Sequence, residues 1–233
     1  MKKTILITGC SSGFGMISAA RLSSLGYTVY ASMRDLSKKN DLKVELDRRN
    51  TSCHMIELDV CNDESIQRSI DTITDKEGKL DILINNAGYG IGGFFEDLSE
   101  KEIRDQFETN FFGVQKVTRI ALPLMRKTAM KSEDIFSTKI VNVSSAQGRS
   151  ALPGLGAYGS SKFALEGFSE GLHFELYPFG IEVVLLEPGT FSTKAIDDNS
   201  KEAKSGLNAQ SPYIEFTNRL KDFHTKILDT RRG

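Results

Sequence analysis

Lys3-Thr-Ile-Leu-Ile-Thr-Gly-Cys-Ser-Ser-Gly-Phe-Gly15 sets an apolar, β-branched run directly against a glycine-rich turn, and helical sequence follows to about Leu25. Strand, turn and helix thus form one unit. Gly9, Gly13 and Gly15 permit a tight turn, close approach of the backbone to a pyrophosphate and close helix packing, with phosphates at the positive helix N-terminus. The spacing is Thr-Gly-x-x-x-Gly-x-Gly rather than Gly-x-Gly-x-x-Gly. Taken alone, such a turn reads equally as an ordinary β–α corner.

Outward from that unit the chain alternates. Strand-like runs fall near 3–8, 27–33, 53–58, 80–85, 138–143 and 181–187, and helical runs near 13–25, 36–49, 63–77, 99–127 and 156–177. Ile66, Ile70 and Ile73 keep helical spacing, and Ser99 with Glu102 forms a capping box ahead of Ile103, Phe107 and Phe111. The 99–127 helix is expected to be broken, and the polar stretch Lys127–Lys139 to be an exposed loop. Alternation of this kind implies right-handed crossovers and an α/β fold: a Rossmann-like, doubly wound parallel sheet with helices on both faces, in a single domain over 1–233.

Composition suits that fold. The chain has 233 residues, 39% of them hydrophobic, enough for one α/β domain with a full core. Lys+Arg 30 against Asp+Glu 31 gives no electrostatic footprint for nucleic acid or an anionic membrane. Small-molecule partners are the expectation. No apolar run approaches the ~18 residues of a membrane span, and the opening Met1-Lys-Lys strand is too short for a signal peptide, so a cytoplasmic location is expected. Cys10, Cys53 and Cys61 show no Cys-x-x-Cys spacing, and His54, His173 and His224 lie far apart, so neither disulfide nor metal is expected.

Chemistry concentrates in Ala157-Tyr-Gly-Ser-Ser-Lys-Phe163. Tyr158 and Lys162, four apart on a helix, project from one face. A free phenol titrates near pH ~10, and a neighbouring ammonium favours its phenolate. Ser145, in Ile140-Val-Asn-Val-Ser-Ser-Ala-Gln-Gly148, follows a β-rich run and presents a hydroxyl able to hydrogen-bond a substrate oxygen. A proton donor and an oxygen binder suffice for carbonyl reduction, although the Tyr/Lys spacing alone equally describes a solvated helix face.

Thr8 to Gly15, Asn85-Asn-Ala-Gly88, Asn110, Ser145, Tyr158/Lys162 and Pro188-Gly189 occur in that order, and with them the chain resembles the short-chain dehydrogenase/reductase family up to about Thr193. The resemblance implies four catalytic residues: Asn110, Ser145, Tyr158 and Lys162. Asn110 would disrupt the long helix and hold a water linking Lys162 to solvent. Lys162 would lower the Tyr158 pKa and bind the nicotinamide ribose. Cofactor binding is implied for Gly9, Ser11, Ser12, Gly13, Phe14, Gly15, Asp59, Val60, Asn86, Ala87, Gly88, Tyr158, Lys162, Pro188, Gly189, Thr190 and Thr193. Asp59 reads equally as a turn residue capping a helix.

In members that prefer NAD an acidic residue ends strand two, whereas here Met33 is followed by Arg34. That favours NADP over NAD, with Arg34 on the 2'-phosphate; pairing of Arg34 with Asp35 is the plainer alternative. Thr8-Gly-Cys-Ser-Ser-Gly13 and Val29-Tyr-Ala-Ser-Met-Arg34 look most like the branch containing hydroxysteroid and retinol dehydrogenases. Tyr89–Phe95, Leu152–Leu155 and Phe191 onward are expected to wall a pocket for a hydrophobic carbonyl or alcohol. A 3-oxoacyl reductase is the rival enzyme, and a non-catalytic NADP(H)-sensing or partner-binding protein the rival of another class. The family commonly assembles through the 99–127 and 156–177 helices, implying a homodimer or homotetramer. Residues 190–233 are expected to supply a substrate lid and a helix around Ile214–Leu228, without the β-rich run that would form the family's last strand.

Overall fold

The computed structural model describes residues 2–189, 200–202 and 211–219. Six parallel strands, β1 (Thr4–Ile7), β2 (Thr28–Met33), β3 (His54–Glu57), β4 (Ile82–Asn85), β6 (Thr138–Val143) and β7 (Ile181–Leu186), form one sheet in the order β3-β2-β1-β4-β6-β7. Strand order reverses between β1 and β4, where Ile5 pairs with Val29 on one side and Ile82 on the other. A cleft opens beyond the carboxyl ends of strands at such a reversal.

Alternation along the strands explains the two cores. Ile5 and Ile7 point to the face carrying α1 (Gly13–Ser24) and α2 (Asn40–Arg48), where they pack with Ala19, Ala20, Leu42 and Leu46. Leu6 points the other way, into a cluster with Ile66, Ile70 and Ile73 of α3 (Asp63–Glu77), Val117 and Met125 of α5 (Gly113–Ala129), and Leu172 of α6 (Gly156–Leu176). Both faces of the central strands are thereby dry, as apolar strands in a parallel sheet require.

Local signals place the helix ends. Asn62 accepts from Ser65 N to start α3, Gly78 ends it at φ 64°, and Ser99 and Glu102 close the expected capping box on α4 (Glu100–Phe107). The long helix is broken by a π-type turn at Glu108–Phe112, while Pro123 lies within α5.

Three boundaries differ from expectation. The 36–49 helix is a 3-10 turn at Leu36–Lys38 followed by α2. The loop expected at Lys127–Lys139 is shorter: α5 runs to Ala129 because Thr128 is buried, donating to Leu124 O at 2.8 Å and accepting from Leu80 N at 3.0 Å. A small sheet appears where none was expected, β5 (Gly90–Gly92) pairing in parallel with β8 (Ser200–Glu202). Helix is present over 214–219. The remainder of the expected 214–228 helix, and the place of a further strand, lie outside the described residues.

Candidate active site

The glycine turn is held against the end of β4 by a short polar lattice. Thr8 Oγ1 accepts from Asn86 N at 3.0 Å and Ala87 N at 2.9 Å, and Asn86 Nδ2 donates to Thr8 O at 2.9 Å and Gly9 O at 3.1 Å. Gly9 takes φ +73°, and a β-carbon there would stand 2.7 Å from Ala87 Cα. One on Gly15 would meet both Gly9 O and Asn86 Nδ2 at 2.4 Å. Side chains are therefore excluded on steric grounds from the ground a pyrophosphate would cover. At the start of α1 no acidic residue stands in the first turn, so the positive end of the helix is open to an anion's charge. Ser11 and Gly13 belong to the same turn, and Phe14 stands partly exposed at its rim. This cradle fits a dinucleotide phosphate.

Along the adenosine side, Met33 is buried at the end of β2 and Arg34 is exposed. Asp35 does not pair with that arginine at hydrogen-bond distance: its carboxylate accepts from Ser37 N at 2.9 Å and starts the next turn. The Asp35 carboxyl is held below its ordinary value first by Ser37 and only last by Arg34. Burial raises the Tyr89 phenol, with Arg34 exerting a lesser lowering influence on it. Asp59 serves the turn before α3, accepting from Cys61 N at 2.9 Å. Val60 is buried against Gly113, where a β-carbon would lie 2.8 Å from Val60 Cγ2.

Four side chains expected to do chemistry converge beyond β4 and β6. Ser145 follows β6 and caps a 3-10 turn, Ala146–Gly148, accepting from Gln147 N at 3.2 Å. The same hydroxyl acts on the Tyr158 phenol, working to lower its pKa. Lys162, 6% exposed, donates to Val143 O at 2.8 Å and stands 5.8 Å from the Tyr158 ring centroid. Asn110, fully buried in the π-type turn, donates to Tyr89 O at 2.9 Å and Ser161 Oγ at 3.2 Å and accepts from Tyr89 N at 3.1 Å. Gly88 lies between the two, since a β-carbon there would stand 3.1 Å from Asn110 Oδ1 and 3.9 Å from Lys162 Nζ.

Burial dominates the electrostatics. It pulls the Lys162 ammonium down to about 8, against an opposing upward influence from Glu166. It pushes Tyr158 up from 10.0, and the influence working against that rise comes from Ser145. The expected lowering of Tyr158 by Lys162 is thus not the controlling effect here. A phenol above 10 remains protonated at neutral pH, the state a proton donor needs.

Around this centre, Ala146 N donates to Pro188 O at 3.0 Å, which sets Pro188-Gly189 beside the Ser145 turn. Thr190 and Thr193 lie outside the described residues, as does the pocket wall from Phe191 to 199. Gly90 faces the Tyr158 ring, and Gly93 N donates to Gly154 O at 2.8 Å, joining the two expected wall segments. Phe94 stacks on Tyr213 with centroids 4.6 Å apart. Phe95 is a correction: it is 81% exposed and lines, with Leu98, Ile103, Phe107 and Phe112, an outer groove of about 700 Å³ along α4. Asn85, the first residue of the Asn-Asn-Ala-Gly run, is buried and structural, donating to Thr118 and Asn142. One supporting residue was missed from sequence: Gln106, one helical turn before Asn110, brackets Tyr89 O and Ile91 N. Spacing of four from Asn110 was the available signal. Among the described residues no group of His, Cys, Asp or Glu could hold a metal ion.

Comparison with known proteins agrees with this arrangement. Residues 3–204 match the family model described as short chain dehydrogenase. The chain is 42% identical over 204 residues to 3-ketodihydrosphingosine reductase of Bacteroides thetaiotaomicron, covering 88% of this chain and 70% of that one. It is 38% identical over 196 residues to human retinol dehydrogenase 8, covering 82% of this chain and 60% of the relative. A short-chain dehydrogenase structure from Streptomyces avermitilis superposes with TM-score 0.78 at 36% identity, covering 92% of this chain and 74% of that chain. Two further solved relatives differ in cofactor. A Burkholderia phymatum enzyme in complex with NAD has TM-score 0.76 and 29% identity, covering 85% of this chain and 69% of its own. Actinorhodin polyketide ketoreductase with NADPH has TM-score 0.77 and 28% identity, covering 84% and 74%.

Proposed function

Since the chain belongs to the short-chain dehydrogenase/reductase family, we propose that it is an NADP(H)-dependent oxidoreductase that reduces the carbonyl of a hydrophobic substrate. The observation that carries this reading is the meeting of the Ser145 turn with a buried Lys162 that donates to Val143 O and stands 5.8 Å from the Tyr158 ring centroid, set where the sheet's cleft opens. When bound, the nicotinamide supplies or accepts the hydride. The protein's own part is positional and protic. Ser145 holds the carbonyl oxygen as negative charge develops on it, and Tyr158 delivers the proton, a role that suits a phenol kept protonated by burial. Lys162 holds the ribose and stabilises the phenolate left behind. Asn110 fixes the Tyr89 peptide and the Gly88 backbone on which the cofactor would lie.

Arg34 supports NADP over NAD, because its guanidinium is exposed and Met33 supplies no carboxylate for a ribose hydroxyl. The Phe94–Tyr213 stack, next to the Gly93–Gly154 contact that joins the two expected wall segments, supports a bulky hydrophobic substrate. The outer groove along α4 supports self-association through α4 and α5. No helix among the described residues is long and apolar enough to cross a membrane.

The test is Tyr158→Phe, assayed against a panel of apolar ketones and aldehydes by loss of NADPH absorbance. The variant is expected to bind NADPH with unchanged affinity and to lose nearly all turnover. Retained turnover would assign the proton to another group.

A further inference from the structure

Glu166 is the one buried acid near this site that the chemistry above does not use. It lies one helical turn beyond Lys162 on α6 and is 5% exposed, and neither carboxylate oxygen has a hydrogen-bond partner among the described residues. Burial of an anion in that condition is costly unless a cation compensates it. Arg149 is that cation, its NH2 standing 3.4 Å from Glu166 Oε2. The same guanidinium donates through Nε and NH2 to Glu187 Oε1, at 3.2 and 2.9 Å. Arg149 directly follows the Ser145 turn, and Glu187 immediately precedes Pro188-Gly189. One guanidinium therefore ties the Ser145 turn, the Pro188 turn and the helix bearing Tyr158 and Lys162 to one another. Gly148 lets this happen, because a β-carbon there would stand 2.8 Å from Ser144 Oγ and 2.9 Å from Glu166 Oε1.

We propose that Glu166 is a positioning residue: its buried carboxylate, one helical turn from Lys162 and anchored by Arg149, is the counter-charge of that ammonium and locks the Ser145 and Pro188 turns around it. The proposal rests on the reading of Lys162 and Tyr158 as the reacting pair's protein side. The groups facing Lys162 are Tyr158 and Glu166 on its own helix, Val143 O from β6, and Asn110 across Gly88. Those facing Glu166 are Lys162, Arg149 and Ser144, with Glu187 and Glu170 acting on Arg149 in turn. Glu166 is the anion in the set closest along the helix to Lys162, and a negative charge one turn away favours the protonated amine.

The experiment is a pH titration of the Lys162 13Cε resonance in lysine-labelled protein, assigned by its loss in Lys162→Met. Glu166→Gln, which keeps shape and removes charge, is expected to lower the midpoint by about half a pH unit or more, given two charges one helical turn apart. Glu166→Asp restores the charge and is expected to recover part of the shift. Arg149→Met, removing the cation that anchors this carboxylate, is expected to lower the midpoint in the same direction, so the proposal stays testable even where Glu166→Gln does not fold. A Glu166→Gln midpoint equal to wild type, or equal shifts in the Gln and Asp variants, would overturn it, and so would an upward shift in Arg149→Met. NADPH titration of the same proteins separates the two readings. Loss of all binding in the wild type would remove the hydride-transfer reading, whereas intact binding with an unmoved midpoint removes only the role of Glu166.

Discussion

At the scale of single residues, the site is a contest between burial and hydrogen bonding, and the winner differs from group to group. Tyr158 is raised by burial despite Ser145, while Lys162 is pulled down by the same cause. Residue identity and order revealed which groups meet, since Asn110, Ser145, Tyr158 and Lys162 do converge. Their protonation was not legible, because desolvation depends on what covers a side chain rather than on its neighbours in sequence. Removal of the Ser145 hydroxyl deletes the proposed oxygen binder and the group that works to lower the phenol. Ser145→Ala is expected to cut turnover about 10²–10³-fold while NADPH affinity holds; a loss of binding that matches the loss of turnover would make Ser145 a cofactor ligand instead. Arg34→Ala is expected to weaken NADPH by roughly ten- to a hundredfold, from charge-assisted hydrogen bonds of ~1.5–3 kcal/mol, and to leave NADH nearly unchanged. Equal weakening of both nucleotides in fluorescence titration would take the 2'-phosphate away from Arg34.

Elements were readable wherever a period or a cap spoke for itself. Strands at 28–33, 54–57 and 138–143 fall within one residue of the apolar runs that announced them, and α3 begins and ends where Asn62 and Gly78 place it. What failed to read was tertiary. Gly90-Ile-Gly92 has little strand propensity and pairs only with a segment more than a hundred residues away, and Lys127-Thr128 looks like loop until Thr128 is seen capping Leu80 N. Glycines show the same division. Gly15→Ala forces a methyl to within 2.4 Å of Gly9 O and Asn86 Nδ2, so the strand–turn–helix unit must shift. Overpacking of this kind costs about 1–3 kcal/mol, and NADPH binding should fall with it. Gly171→Ala, inside α6 with nothing within 4 Å, should instead gain about 0.5–1 kcal/mol. Denaturant midpoints of the two variants give the check, and a neutral Gly15→Ala would mean that the turn is looser than its contacts imply.

For the molecule as a whole, the order β3-β2-β1-β4-β6-β7 sets the reversal point between β1 and β4, one strand from the end of β6, so the phosphate cradle and Tyr158 serve one cleft. Closing that cleft over a sheet drives Lys162 into the protein, and the fold bears the cost. An amine that titrates at 10.5 when unfolded and at about 8 when folded binds more protons in the unfolded chain between those values, so stability rises with pH across that window. Below about 8 both states carry the charge and the full penalty stands, at most ~3 kcal/mol from the size of the shift. Lys162→Met keeps the length and volume of the side chain without its charge. It is expected to be more stable than wild type at pH 7 by up to ~3 kcal/mol, with the advantage shrinking toward zero as pH approaches the unfolded value. The lost hydrogen bond to Val143 O takes back about 1 kcal/mol at every pH and leaves the slope untouched. Denaturant unfolding of both proteins at pH 7 and near pH 10 measures the difference. A gap that stays constant between the two pH values would mean that Lys162 titrates alike folded and unfolded, and that this fold places no charged amine at a cost to its own stability.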